Sequence, residues 1–238
     1  MKRNLCISII LFIVLVMILW LGYWIFGFNP FNLHEYCRYD SGLYLSIAER
    51  GYVIEPKWSD GWNAYVYEGN CGWYYLYPML IKVLNIVTGF DNMLLGVIIS
   101  FLFTFTLIYL SLKLMDDYEN KYMILAALVT FPGWAWLFSI FPMSMTVFFL
   151  TANIYYLHKD KYILCGLFGF LASASYSTAF LICLVDFIYM IYTYIIERKF
   201  DPKLFVKNSL MTSGMTVLGF ISFHIILFLK TGYCNAFF

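Results

Sequence analysis

Charged side chains are scarce in this sequence: Asp, Glu, Lys and Arg make up 12% of its 238 residues. A soluble domain carries roughly 25%, so the chain has about half the charge needed to cover a water-facing surface. Neither sign dominates the formal net charge of +1, which gives no electrostatic ground for a nucleic-acid partner. Several motifs are missing as well. No phosphate-cradling glycine loop, no zinc-type cysteine pairing and no serine-nucleophile elbow occurs. What the chain has in quantity is apolar surface, at 63% hydrophobic and 22% aromatic residues with a mean hydropathy of +0.77. The aromatic share fits Tyr and Trp stationed at headgroup level. The composition is that of an integral membrane protein.

Lys2 and Arg3 precede an apolar run from Leu5 to Phe26. A signal-peptide core is roughly 7–15 residues long and ends in a small-residue cleavage site; this run is longer and no such site follows. Trp20, Tyr23 and Trp24 instead form an interfacial belt. The expectation is a retained first span with its N-terminus in the cytoplasm, a signal peptide being the alternative.

At about 17–25 apolar residues per crossing, the sequence predicts spans near 6–27, 92–115, 120–138, 142–157, 161–176, 177–196 and 208–229. The fold class expected is an all-α integral membrane protein, a polytopic helical bundle of about seven spans forming a single domain over 1–238. Phe131-Pro132 and Phe141-Pro142 interrupt the third and fourth spans, where proline removes a backbone hydrogen bond. Broken helices at membrane depth line cavities, because lipid cannot satisfy their free backbone groups. Leu76 to Thr88, extended to residue 90, contains Pro78 and Lys82 and reads as an interfacial helix. With the N-terminus inside, Lys2, Arg3, Lys113, Lys121, Lys159, Lys161, Arg198, Lys199, Lys203 and Lys207 share the cytoplasmic side. Arg38, Arg50, Lys57, Lys82 and Lys230 fall opposite, and the ten-to-five split supports this orientation, with the C-terminus outside.

One connection is long, Phe28 to Tyr75. Long loops in compact proteins are functional or disordered, and the density of Trp and Tyr here argues for order. Within it, Arg38 to Tyr52 reads as a short amphipathic helix on the outer membrane surface. Asp40 is the expected N-cap, Leu43, Tyr44, Ile47 and Ala48 make the apolar face, and Gly51 is the stop.

The stretch Tyr39-Asp40-Ser41-Gly42-Leu43-Tyr44-Leu45-Ser46-Ile47-Ala48-Glu49-Arg50-Gly51-Tyr52 resembles a W-D-S-x-x-Y-L-x-I-A-E-x-G-Y pattern, with Tyr39 in place of the Trp. That pattern belongs to the first outer loop of GT-C superfamily glycosyltransferases, in particular the GPI second-mannose mannosyltransferase family and its bacterial relatives. Trp73-Tyr74-Tyr75-Leu76-Tyr77-Pro78-Met79-Leu80 is similar to the family's F-F-P-L-Y-P-L-L segment, and Lys230 to Phe237 to a later block beginning T-G-D-P. The resemblance implies transfer of a sugar from a polyprenyl or dolichyl phosphate to an acceptor hydroxyl on the non-cytoplasmic face. The lipid-linked sugar phosphate is then a co-substrate, and no cofactor or metal is expected. Asp40 matches the family's general base, which accepts the hydroxyl proton during attack. The implied substrate-binding residues are Arg38, Glu49, Tyr44, Trp73 and Tyr77. Glu49 lies nine residues from Asp40, half a turn round and about 13 Å along a helix, which argues against an acid/base pair. Arg38 suits either a donor phosphate or headgroup anchoring.

The chain also departs from the family. A Y-S-E motif aligns with Phe141-Pro142-Met143, which lacks the carboxylate, and an R-P-T-G motif with Tyr176-Ser177-Thr178-Ala179, which lacks the cation. Relatives run on for further spans, so a partner membrane subunit supplying them is one expectation, and a non-catalytic accessory role is the alternative function. A bacterial or archaeal plasma membrane is the expected location. Outside the motif, Asp186 falls inside a predicted span, at an insertion cost of about 2.5–3.5 kcal/mol. It is either functional or a protonated acid bonded to a neighbour. His224 is expected to pack, and His34 and Glu35 precede the motif. Cys6, Cys165 and Cys183 fall in spans; among the outer cysteines Cys37, Cys71 and Cys234, a Cys37–Cys71 bridge is a candidate pin for the loop.

Overall fold

The computed structural model describes residues 2–59, 61, 63–116, 118–119, 123, 131–197 and 201–233. The chain is all-helical, 77% helix with almost no strand. Among the described residues the helices are, in chain order, α1 (Lys2–Ile25), α2 (Ser41–Arg50), α3 (Leu76–Thr88), α4 (Asn92–Leu114), α5 (Met143–His158), α6 (Tyr162–Ser175), α7 (Ser177–Ile196) and α8 (Pro202–Thr231). Between α2 and α3 lies an unexpected antiparallel hairpin, β1 (Ile54–Ser59) with β2 (Ala64–Gly69), in register from Ile54 opposite Gly69 to Ser59 opposite Ala64.

Among the described residues four helices, α1, α4, α7 and α8, are long and apolar enough to cross a membrane. The chain is therefore a membrane protein in its helical composition. α5 and α6 have 16 and 14 residues, and at 1.5 Å per residue each falls short of a hydrocarbon core about 30 Å thick. Most of the span expected at 120–138 lies outside the described residues, as do Lys121, Arg198, Lys199 and Cys234. The part that is described, Pro132–Phe138, is a 3₁₀ helix.

Local chemistry sets the helix ends. Asp91 Oδ1 accepts the N–H groups of Met93 and Leu94 (2.8 and 3.2 Å) and starts α4. Asp201 does the same for Lys203 and Leu204 (2.9 and 3.3 Å), with Pro202 at the first helical position of α8. α7 opens with a 3₁₀ turn, Ser177–Leu181, and loosens into a π turn at Thr193–Glu197; α8 carries a second π turn at Leu210–Gly214.

The two ends of the bundle are defined by contacts. α1 and α4 run antiparallel, with Phe12 against Phe101 and Phe105 (6.1 and 5.6 Å) and Asn4 Nδ2 donating to Asp116 (2.8 Å). α5 begins at the loop end, where Phe141 lies 5.4 Å from Tyr44 of α2, and finishes beside Lys113 at the opposite end. α6 returns, its Ser175 hydroxyl 2.8 Å from that of Thr146. α8 climbs back to the loop, where Tyr74 stacks on Phe223 (4.0 Å) and the hydroxyls of Tyr75 and Ser222 meet at 2.9 Å.

The main core joins α1, α2, α3, α4 and α5 under the loop, around Tyr44, Tyr77, Phe138 and Ile140. α6 is clasped through small residues: a Cβ on Gly166 or Gly219 would strike backbone of Met211 or Phe170, and one on Gly169 would strike the Thr216 hydroxyl. Such close approach is how membrane helices gain packing without a hydrophobic driving force. Asp186 is wholly buried between α5, α6 and α7, accepting from Asn153 Nδ2 at 3.1 Å and facing Cys165 Sγ at 3.8 Å. His224 packs between the rings of Phe220 and Phe223 (4.9 and 5.1 Å).

Candidate functional site

The loop helix is anchored from both sides. Upstream, Tyr36 is buried. Its hydroxyl donates to Pro30 O (2.8 Å) and accepts from Trp20 Nε1 (2.9 Å), and its carbonyl accepts Ile140 N–H (2.9 Å). Burial raises the Tyr36 hydroxyl above its usual range. Downstream, the buried Asn70 side chain donates to Ser46 Oγ (3.1 Å) and Gly51 O (2.9 Å) and accepts from Val53 N–H (2.8 Å). Gly51, at φ +80°, supplies the left-handed turn that ends α2, its N–H on Ile47 O.

Asp40 occupies the N-cap position of α2, and its carbonyl accepts Leu43 and Tyr44 N–H (2.9 and 3.2 Å). Its carboxylate makes no capping hydrogen bond, contrary to the sequence expectation. The reason is conformational: Asp40 sits at φ −82°, ψ 9°, whereas a capping side chain needs the extended region to swing back over the first turn. Ser41 closes the turn instead, its hydroxyl accepting Arg38 N–H and donating to Arg38 O, both at 2.7 Å. The half-buried Asp40 carboxylate is thus left free of the helix start.

Tyr39, in the left-handed region at φ +44°, stacks on Trp136 at 4.7 Å and 21°. Trp136 also lines an apolar cavity of about 600 Å³ between α1, α4, the 3₁₀ segment and α5. Leu15, Leu107, Ile108 and Val147 form its apolar wall, with hydroxyls from Thr104, Ser111 and Thr151. The cavity therefore begins at the ring stacked on the residue before Asp40 and extends along α4 away from the loop.

Arg38 is half-buried, its guanidinium 5.6 Å from the Tyr23 ring centre and one amine on Cys37 O (3.1 Å). This holds a cation at the loop end of α1, beside the turn that leads into Asp40. Glu49 is exposed in the last turn of α2, away from Asp40. Trp73 is half-buried, and its carbonyl takes the Tyr52 hydroxyl at 2.7 Å. Two of the expected binding residues are core side chains. Tyr44 is buried edge-on between Tyr77 (5.9 Å) and Phe141 (5.4 Å), and its hydroxyl is pushed well above the tyrosine range by burial. Tyr77 is fully buried and donates to Gly96 O (3.0 Å). Both are aromatic at positions where the fold needs bulk beneath α2. His34 is exposed and Glu35 half-buried, the latter with its carbonyl on the Tyr23 hydroxyl (3.0 Å).

The two departures from the resembling family meet at this same place. Phe141 touches Tyr44 of α2 and also lies 6.0 Å from Tyr176. By the resemblance the carboxylate is expected at Met143, which lines the apolar cavity, and the cation at Tyr176, which packs beside Phe141. The candidate Cys37–Cys71 bridge is not formed, and both thiols are free. Cys71 is buried with Sγ 3.5 Å from Val53 O, and burial raises both thiols. The loop is held instead by Asn70 and the Tyr52, Tyr74 and Tyr75 contacts.

Sequence reasoning missed the hairpin, Asn70 and the cavity with Trp136. Among the described residues, no group of three or more His, Cys, Asp or Glu side chains is placed to hold a metal ion. No protein family, no curated protein and no solved structure matches the chain.

Proposed function

We propose that the chain is a GT-C-type membrane glycosyltransferase that moves a sugar, mannose-like in the resemblance, from a polyprenyl or dolichyl phosphate to an acceptor hydroxyl, with Asp40 as general base. The observation that carries this reading is the Asp40 carboxylate: it stands at the start of an anchored loop helix and takes no part in capping it. In the reaction, the acceptor oxygen attacks the anomeric carbon while Asp40 takes the hydroxyl proton. The bond from that carbon to the lipid phosphate breaks, and the phosphate leaves with the electron pair. An inverting displacement requires the base on the face opposite the leaving group. The apolar cavity reaching Trp136 is suited to an isoprenoid chain, and Arg38 supplies a cation near the phosphate. The proposal takes the bundle as crossing about seven times, N-terminus cytoplasmic and C-terminus outside, with the loop on the non-cytoplasmic face of a bacterial or archaeal plasma membrane.

The test is sugar transfer from a synthetic polyprenyl-phosphate sugar to an acceptor, using the purified chain in lipid. Asp40→Asn should lower the rate roughly 10²–10⁴-fold, the range of a lost general base, without changing the melting temperature. Transfer at an unchanged rate in Asp40→Asn would remove Asp40 from the mechanism.

A second reading has its own observation. With Met143 and Tyr176 standing where a carboxylate and a cation belong in the family, the chain fits a non-catalytic relative that serves as an accessory subunit, a partner membrane chain supplying further spans. It predicts no transfer by the isolated wild-type chain, and transfer on adding the partner that does not depend on Asp40.

A further inference from the structure

At the end of the bundle remote from the loop, α4 and α5 diverge around a second cavity of about 490 Å³. Its wall is made by Lys113, Leu114, Met115 and Tyr118 from the end of α4, and by Ile154, Tyr155, His158 and Lys159 from the end of α5. Lys113 Nζ lies 5.5 Å from the centre of the Tyr155 ring, which fixes the ammonium over the cavity mouth. Among the described residues no carboxylate lines the space. Of the described acids nearest in sequence, Asp116 accepts the Asn4 amide of α1 (2.8 Å), Asp160 accepts the Tyr162 hydroxyl (2.6 Å), and the exposed Glu119 is not part of the wall.

Two lysines thus converge on a cavity with apolar walls, tyrosine rings and no described counter-charge. Helix C-termini attract cations by themselves, and that accounts for a lysine at each end. It does not account for an open space between them. The shape and charge match a phosphate group with an apolar body attached, and basic pockets between membrane helices at the headgroup level bind such groups.

We propose that this cavity is a phosphate-binding site between α4 and α5, held by Lys113 and Lys159, which takes the headgroup of an anionic lipid or a free phosphate-bearing solute. The site is independent of Asp40, which lies at the other end of the bundle.

The experiment uses the full chain in mild detergent, with phosphatidylglycerol, phosphatidylcholine and inorganic phosphate as probes, read by native mass spectrometry and thermal melting. The variant is K113Q/K159Q, both positions being exposed. K82Q/K230Q, with the same charge change at exposed positions near the loop end of the bundle, is the control. Retention of one phosphatidylglycerol at least ten-fold over phosphatidylcholine, lost in K113Q/K159Q and kept in K82Q/K230Q, supports the site and assigns it to a lipid. A rise in melting temperature with inorganic phosphate alone, absent in K113Q/K159Q, supports it and assigns it to a solute. Equal loss in both variants, or no preference for either anionic probe in the wild type, overturns it.

Discussion

Asn70 ties the start of the hairpin to the end of α2 with one side chain, and every partner it holds is backbone or loop hydroxyl. Replacing it with Ala leaves Val53 N–H and Gly51 O without that partner, at roughly 1–3 kcal/mol for each group that stays buried. Asn70→Ala should lower the melting temperature in detergent and open the loop to protease between residues 51 and 75. A melting curve superimposable on the wild type would show that the tie is not needed. Local pattern does not reveal this residue: Asn70-Cys71-Gly72 reads as a turn, and the Ser46 partner is 24 residues away. Asp40 shows the opposite case. Its residue type correctly marks the first turn of a helix, but whether the side chain caps depends on ψ, which the sequence does not encode at one position. Tyr44 and Tyr77 are legible as motif residues and illegible as core, because burial is decided by what the other elements bring.

α4 carries Gly96, Ser100 and Thr104 four residues apart, on one face. Ser100 Oγ donates to Ser139 O (2.6 Å) and Thr104 Oγ1 to Leu137 O (2.7 Å), while Gly96 leaves room for Ile140 and takes the Tyr77 hydroxyl. Pro132 and Pro142 predict a broken backbone at membrane depth, and this stripe is what satisfies its carbonyls. The break was legible from proline; the stripe was not, since three small residues at that spacing serve plain packing equally well. Ser100→Ala with Thr104→Val should destabilise by about 0.6–1.7 kcal/mol per lost bond, the range for polar contacts between membrane helices. Gly96→Ala acts differently, since its methyl group meets Ile140 Cγ2 at 2.6 Å and Tyr77 Oη at 3.4 Å. Thermal melting separates the two, because restoring space with Ile140→Ala should rescue Gly96→Ala and leave the hydroxyl-deleted variant unchanged.

For the whole molecule, the long helices α1, α4, α7 and α8 lie with much of their apolar surface outward, while the short α5 and α6 sit between them and carry buried polar groups. The apolar pattern marks both kinds, reading 142–157 and 161–176 as spans, and length is what separates them: a helix enclosed by other helices needs neither the length nor the uniform apolarity that lipid demands. The contacts set the direction of travel. Phe141 at the head of α5 touches the loop helix, while Lys159 at its foot lines a cavity with Lys113, and the end of α4 is bonded through Asp116 to Asn4. If α5 crosses the membrane, the Lys159–Lys161 turn and the hairpin face opposite compartments. Single cysteines at Glu55, Asp160 and Tyr233, placed in a chain whose own six cysteines are replaced by Ser or Ala, report this with a membrane-impermeant maleimide on sealed right-side-out and inverted vesicles. Positions 55 and 233 should label in one orientation and position 160 only in the other. Labelling of 55 and 160 from the same side would mean that the two positions are not separated by an odd number of crossings, and the seven-span topology would fall.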